Sequence, residues 1–415
     1  MRAASLRVRA LAETGPRGLA FWLLVFAATL GNIVNSASTP VLARIVQEHL
    51  AGDAALAGFV VSLSAFASIA AMPLAGILAD RVGVRTVIVV ATVVAAVGLA
   101  VVLASLTVGG LVSSRILFGA GNAAVATVLT AWVVAVVPAG QRGRALSLFG
   151  LSVWVGLALG PPLGENLSQS AGYQAVWIVA IALQVGGLVL ASFVRGAPRT
   201  VAVADPREVA RGMSAWAPTL RTIALPGGVA VTAWAAEGFM IAFLIQHLEK
   251  NGLPAEGVTG AANVFTVFAA SVIVSRLLIG GLPDRIGGVA TARISLLVLG
   301  AGLAVLAFSG HFAVAAIGAV LVGAGYSPLY PALTMLATDG LDPSRRASGV
   351  GLFSAMTSIG YAIGALLGGV LVQSVGETTS FLLVAGAQLL VGLLLRGQRG
   401  VAPAAGAPSP APEPG

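Results

Sequence analysis

Of the 415 residues, 58% are hydrophobic and only 9% charged, at a mean hydropathy of +0.98. Soluble domains carry about 25% charged residues, so a soluble fold has no way to hide this much apolar surface. The absence of cysteine excludes a disulfide frame and a thiolate metal site, and the net charge of +8 acquires a meaning only once its distribution is known.

Twelve apolar runs, each near the roughly 20 residues needed to cross a bilayer, follow one another along the chain. They cover residues 19–43, 55–78, 84–105, 109–137, 144–165, 174–194, 224–247, 258–281, 289–309, 312–338, 347–372 and 378–395. The expectation is an all-α membrane protein of twelve transmembrane helices. A basic stretch (Arg2, Arg7, Arg9, Arg17) precedes the first run, as in a signal peptide. That run is too long for a signal core and is read as an uncleaved first helix.

Positive charge in short loops sets the orientation of such a chain. With the N-terminus inside, 19 of the 23 basic residues fall on the cytoplasmic side, only Arg44 and Lys250 fall outside, and Arg115 and Arg276 lie within spans. The basic balance is therefore a topology signal and not a nucleic-acid footprint. It implies cytoplasmic termini, and the membrane expected with the leading function below is a bacterial-type cytoplasmic (inner) membrane.

The halves repeat. At an offset of 204 residues Gly76, Asp80, Arg81 and Gly83 fall on Gly280, Asp284, Arg285 and Gly287. The same offset places Gly119 and Gly121 on Gly323 and Gly325, and Gly156, Gly160 and Gly164 on Gly360, Gly364 and Gly368. Like-oriented repeats of six spans are related by an axis along the membrane normal. The division that follows is a cytoplasmic segment 1–18, a six-helix bundle 19–194, a linker 195–223, a second bundle 224–395 and a Pro/Ala-rich tail 396–415 read as disordered. Within the linker, residues 205–216 form either a short interfacial helix or plain loop.

The loop Gly76-Ile-Leu-Ala-Asp80-Arg81-Val-Gly83-Val-Arg85 resembles the signature loop of the major facilitator superfamily, and the likeness extends over residues 19–395. The resemblance implies two pseudo-symmetric six-helix bundles, with Gly76, Asp80, Arg81, Gly83 and Arg85, and Asp284 and Arg285 of the second copy, latching the halves on the cytoplasmic face. The second copy lacks an arginine matching Arg85. Arg115-Ile-Leu-Phe-Gly119-Ala-Gly121 is similar to a family pattern whose arginine is linked to proton coupling. Gly156, Gly160, Pro161 and Gly164 resemble an antiporter-associated motif, although Ser147 and Glu165 stand where the full pattern has glycine. Pro161 and Pro162 are expected to bend the fifth span. The glycine stripe is either tight static packing or a sliding seam.

A charge inside a span costs roughly 2.5 to 3.5 kcal/mol and needs a reason. Glu237 lies near the centre of the seventh span, where it can carry a proton, act as counter-ion to a cationic substrate, or be a static partner. Arg276 is expected to snorkel, and Glu165 to reach the outer surface. The family's cleft is lined by spans one, four, seven and ten, which here hold Asn32 and Asn35, Arg115 and Asn122, Trp234 and Glu237, and Tyr326 and Tyr330. Aromatic rings beside a carboxylate suit an amphipathic small molecule.

The leading expectation is a proton-coupled antiporter exporting a drug-like compound or secondary metabolite by alternating access, with Glu237 and Arg115 in the coupling. A proton symporter importing a small nutrient is the alternative, and a membrane-embedded enzyme or receptor the remote one. No phosphate-binding loop and no histidine-carboxylate metal pattern stands in the sequence: His49, His247 and His311 all lie near outer span ends. The expected partners are a small-molecule substrate, the proton and the lipid bilayer, without nucleic acid, ATP, metal or cofactor, and the expected state is a monomer.

Overall fold

The computed structural model describes residues 18–137, 142–194, 213–255, 257–339, 341 and 346–395, and among them no strand occurs. Twelve helices carry the fold: α1 (Leu19–Glu48), α2 (Ala54–Val82), α3 (Val84–Ala104), α4 (Val108–Val136), α5 (Arg142–Ala171), α6 (Tyr173–Ser192), α7 (Met213–Lys250), α8 (Asn263–Ile279), α9 (Gly288–Ala307), α10 (Phe312–Asp339), α11 (Arg346–Val375) and α12 (Glu377–Leu394). Eleven are long and apolar enough to cross a membrane, and the twelfth, α8, has 17 residues. We call proximal the face where α1 begins and α12 ends, and distal the opposite one.

Several helix boundaries differ from the sequence reading: α1 and α5 run on to Glu48 and Ala171, past the expected 43 and 165, and α8 and α7 begin elsewhere. α8 begins at Asn263 and not near 258, because Gly257 takes φ +84 and the chain turns there, with Asn263 Nδ2 donating to the Gly257 carbonyl at 2.8 Å. At its other end Gly280 and Gly281 interrupt the helix before a short one, Leu282–Ile286, opened by Pro283. α7 starts at Met213, so residues 213–223 of the expected linker are helical. Pro218 reads as loop punctuation in sequence, yet a proline in the second turn removes only one helical hydrogen bond. Residues 1–17, 195–212 and 396–415, and with them most of the possible interfacial helix, lie outside the described residues. α5 continues as one helix through Pro161 and Pro162.

The packing scheme occurs twice. α1 packs on α5 and α6, α2 on α4, and α3 on α4 and α6; α7 packs on α11, α8 on α10, and α9 on α10 and α12. Tight turns repeat with it: Gly83 and Gly287 take φ +91 and +83, and Gly172 and Gly376 take +81 and +80. Each joins two antiparallel helices where a side chain would strain the backbone.

Between the two sets, contacts run from mid-bundle to the distal face. Gly58 and Ala54 of α2 meet Ala365 and Gly369 of α11, and Thr266 Oγ1 of α8 donates to the Ala158 carbonyl of α5 at 2.6 Å. Gln373 Nε2 donates to Asp53 Oδ2 at 2.7 Å. The larger apolar core threads both sets, whereas a second, built around Phe21, Trp132 and Val133, belongs to the first set alone and fills its proximal end.

Candidate functional site

An aromatic row crosses the middle of the molecule. Trp154 of α5 meets Phe268 of α8 edge-on at 5.9 Å, and Phe268 meets Tyr326 of α10 at 5.9 Å. Trp234 of α7 lies 6.0 Å from Tyr326 and 5.8 Å from Tyr330, and Tyr330 lies 5.7 Å from Phe353 of α11. All but the tilted Tyr330–Phe353 pair are edge-to-face, a preferred geometry for aromatic pairs. The four-residue spacing of Tyr326 and Tyr330 puts both rings on one face of α10. The Tyr326 hydroxyl donates to the Ala233 carbonyl at 2.5 Å, which fixes the ring against α7.

Glu237, one turn beyond Trp234 on α7, is 9% exposed. Its carboxylate makes no hydrogen bond or ion pair among the described residues, and it lies within electrostatic reach of the hydroxyls of Tyr326 and Tyr361. Arg115 of α4 is also buried. Its Nη1 donates to Ser38 Oγ at 3.3 Å, and its Nη2 to Ser64 Oγ at 3.0 Å and Thr39 Oγ1 at 3.5 Å, while the guanidinium stands 5.2 Å from the Phe118 ring centre. No carboxylate pairs with it among the described residues. Tyr361 of α11 lies within electrostatic reach of both Arg115 of the first set and Glu237 of the second. Nothing in its own sequence context marks Tyr361 out, except that it follows Gly360 of the repeated glycine series.

The expected substrate-facing residues divide into two groups. Trp234, Tyr326 and Tyr330 belong to the aromatic row. Asn32 and Asn122 instead line a narrow cleft inside the first set, together with Thr92 and Gln184. Asn32 Nδ2 also donates to Ser152 Oγ of α5 at 3.3 Å, and the Asn35 carbonyl accepts from Ser38 and Thr39. Arg276, in the last turn of α8, is half-buried and within electrostatic reach of Tyr330.

The glycine series seats one helix on another within a set. A Cβ on Gly156, Gly160 or Gly164 would collide with α1 between Asn32 and Ala37, and one on Gly360, Gly364 or Gly368 would collide with α7. Pro161 lies in the same seam, buried. In the loop after α2, Gly76 is buried in the helix and Gly83 forms the turn. Arg85 Nη2 donates to the Val194 carbonyl at 2.5 Å, stapling α3 to the end of α6. Arg81 is exposed beside it, and Asp284 and Arg285 occupy the short helix Leu282–Ile286.

Sequence reasoning missed a charged cluster at the distal face. Glu165 does not reach the surface: it is 1% exposed, and its Oε2 accepts from Arg44 Nη2 at 3.0 Å. The same Nη2 reaches Glu249 of α7 at 2.8 Å, and Nη1 reaches Glu48 at 3.3 Å. Beside it Lys250 pairs with Glu377 at 2.6 Å, and His247 stacks on Phe381 with its Nδ1 3.7 Å from Glu377. The Arg44–Glu48 spacing of four residues was a visible signal, but the partners from α5 and α7 were not.

Two equivalent sets of six membrane helices, meeting around buried polar and aromatic groups, define a multi-pass transporter of the secondary type. The chain belongs to the Major Facilitator Superfamily, whose family model matches residues 21–253 and again 227–414. It is similar to an uncharacterised MFS-type transporter of Salmonella typhimurium, 28% identical over 298 residues, covering 69% of this chain and 71% of that one. The uncharacterised MFS-type transporter YhhS of Escherichia coli is 27% identical over 354 residues, covering 83% and 84%. Among solved structures the fold matches the nucleoside transporter NupG at TM-score 0.75 and 15% identity, covering 91% of this chain and 98% of that one. It matches a point mutant of the peptide transporter POT at 0.75 and 16%, covering 93% and 96%. These relatives are transporters, which sets the chain apart from membrane enzymes and receptors.

Proposed function

We propose that this transporter is a proton-coupled antiporter that exports a small amphipathic compound by alternating access. The observation that carries the reading is Glu237: a buried carboxylate without a hydrogen-bond or ion-pair partner among the described residues, one turn from an aromatic row that joins both sets. An intramembrane ionisable group of this kind marks a proton or substrate path. Protonated, it rests in its apolar surroundings; ionised, it offers a counter-charge to a cationic or polar group of the compound, whose apolar part packs on Trp234 and Tyr330. Competition between proton and substrate for one carboxylate yields exchange. Tyr361 carries the influence of that event to Arg115 in the other set.

The rocking units in this reading are the bundles 19–194 and 224–395, extended at α7 to include residue 213. The positive-inside bias puts the proximal face, with both termini, in the cytoplasm, so the distal closure corresponds to an inward-facing state of a monomer in the cytoplasmic membrane. The loops around Asp80–Arg81 and Asp284–Arg285 latch that face in the opposite state. The glycine motif of α5 acts by rigid seating on α1, which keeps each bundle intact while it turns.

The test is proton-coupled substrate flux in vesicles with Glu237→Gln. Loss of coupling with retained substrate binding is expected; undiminished coupled exchange would remove Glu237 from the mechanism. For direction, cells carrying the protein are expected to accumulate less compound than cells without it, and an uncoupler to abolish the difference.

A further inference from the structure

We propose that Arg44 is a strap across the distal face, and that Glu165 is the positioning residue that keeps Arg44 paired when the strap lets go. The proposal rests on the alternating-access reading above. Arg44 and Glu165 belong to the first set, on α1 and α5, whose backbones are seated against each other by Gly156, Gly160 and Gly164. They move together. Glu249 belongs to α7 in the second set, and its Oε1 and Oε2 lie 2.8 and 3.0 Å from Arg44 Nη2. Distal opening must therefore break the Arg44–Glu249 pair and leave the Arg44–Glu165 pair in place.

The geometry shows what Glu165 supplies at that moment. Only its Oε2 is bonded in the closed form, and Oε1 is buried with no hydrogen-bond partner among the described residues. A carboxylate with one oxygen held in reserve beside a guanidinium can go over to two parallel hydrogen bonds once the competing carboxylate leaves. Without that reserve, opening strands a largely buried guanidinium, whose uncompensated burial is costly. Glu48, far more exposed and bonded at 3.3 Å, is a weaker substitute. The two carboxylates bonded to the same nitrogen thus have opposite effects: Glu249 favours the closed distal face and Glu165 favours its opening.

The chain has no cysteine, so spin labels go on without prior substitutions. One pair at Ser170→Cys and Val258→Cys reports the distal gap, and another at Val82→Cys and Ile286→Cys the proximal one; all four positions are exposed. Distances are read by pulsed electron resonance in nanodiscs, under conditions where the parent chain samples both states. Glu249→Gln is expected to raise the distal-open fraction severalfold and Glu165→Gln to lower it below the parent value. Arg44→Gln removes the group for which both compete, so adding Glu165→Gln to it is expected to change nothing further, a result that simple misfolding of the glutamine variant does not give. Shifts of the same sign for Glu165→Gln and Glu249→Gln, or no shift for Glu165→Gln, overturn the strap. If the parent chain instead shows one fixed distance for each pair at every pH, the rocking reading itself falls; reciprocal motion of the two pairs in the parent with same-sign variants removes the strap alone.

Discussion

Gly58 of α2 faces the carbonyl oxygen of Ala365 in α11 so closely that no Cβ fits between them. The two helices come from different sets, so in the alternating-access reading this contact parts when the distal face opens. Gly369 stands in the same seam, 3.0 Å from where the Cβ of residue 58 would lie.

Gly58→Leu is expected to fold and to shift the transporter toward its distal-open form. Overpacking a tight contact costs typically about 1–3 kcal/mol, here levied on one conformational state only. The distance between spin labels on cysteines at residues 170 and 258 measures the shift. An unchanged distance, together with unchanged transport, would mean that the seam tolerates the side chain.

Gly364→Leu introduces a comparable clash, with the Ala235 carbonyl, inside the second set. That contact does not separate as the sets rock, so every state bears the cost. The expected result is a lower melting temperature in detergent without a change in the ratio of the two forms. A conformational shift at normal stability would argue that α7 and α11 slide past each other.

Arg115→Lys keeps the charge and loses the fork. A single ammonium does not reproduce the planar set of donors that serves Ser38, Thr39 and Ser64. Leaving a buried polar group unpaired costs roughly 1–3 kcal/mol, so reduced thermal stability and strongly reduced transport are expected. Ser64→Ala, which removes the partner at 3.0 Å, is expected to give a smaller loss of both.

Trp234→Ala removes both edge contacts of the ring, with Tyr326 and Tyr330, each aromatic pair contributing about 0.5–1.5 kcal/mol. Ligand-induced thermal stabilisation, which reports binding to the folded state, is expected to shrink for Trp234→Ala and to persist largely in Trp234→Phe. Equal stabilisation of parent and alanine variant would take the aromatic row out of substrate binding.

Membrane insertion, the helix count and the doubled pattern were legible in the residues, since apolar length, loop charge and a 204-residue echo are properties of the chain as a string. Gly83 and Gly287, paired by that echo, share a turn in the structure, because few residues but glycine accept a φ near +90°. Only the tertiary structure decided who meets whom. It placed Asn32 and Asn122 in a cleft of the first set, brought Tyr361 within electrostatic reach of Arg115 and Glu237, and turned Glu165 inward to Arg44, which also holds Glu249. Residues 44, 165 and 249 are far apart along the chain, and their shared cluster depends on the rotation and depth of three helices, which are set by glycine seams and ring contacts between helices and not by the hydropathy of any one of them.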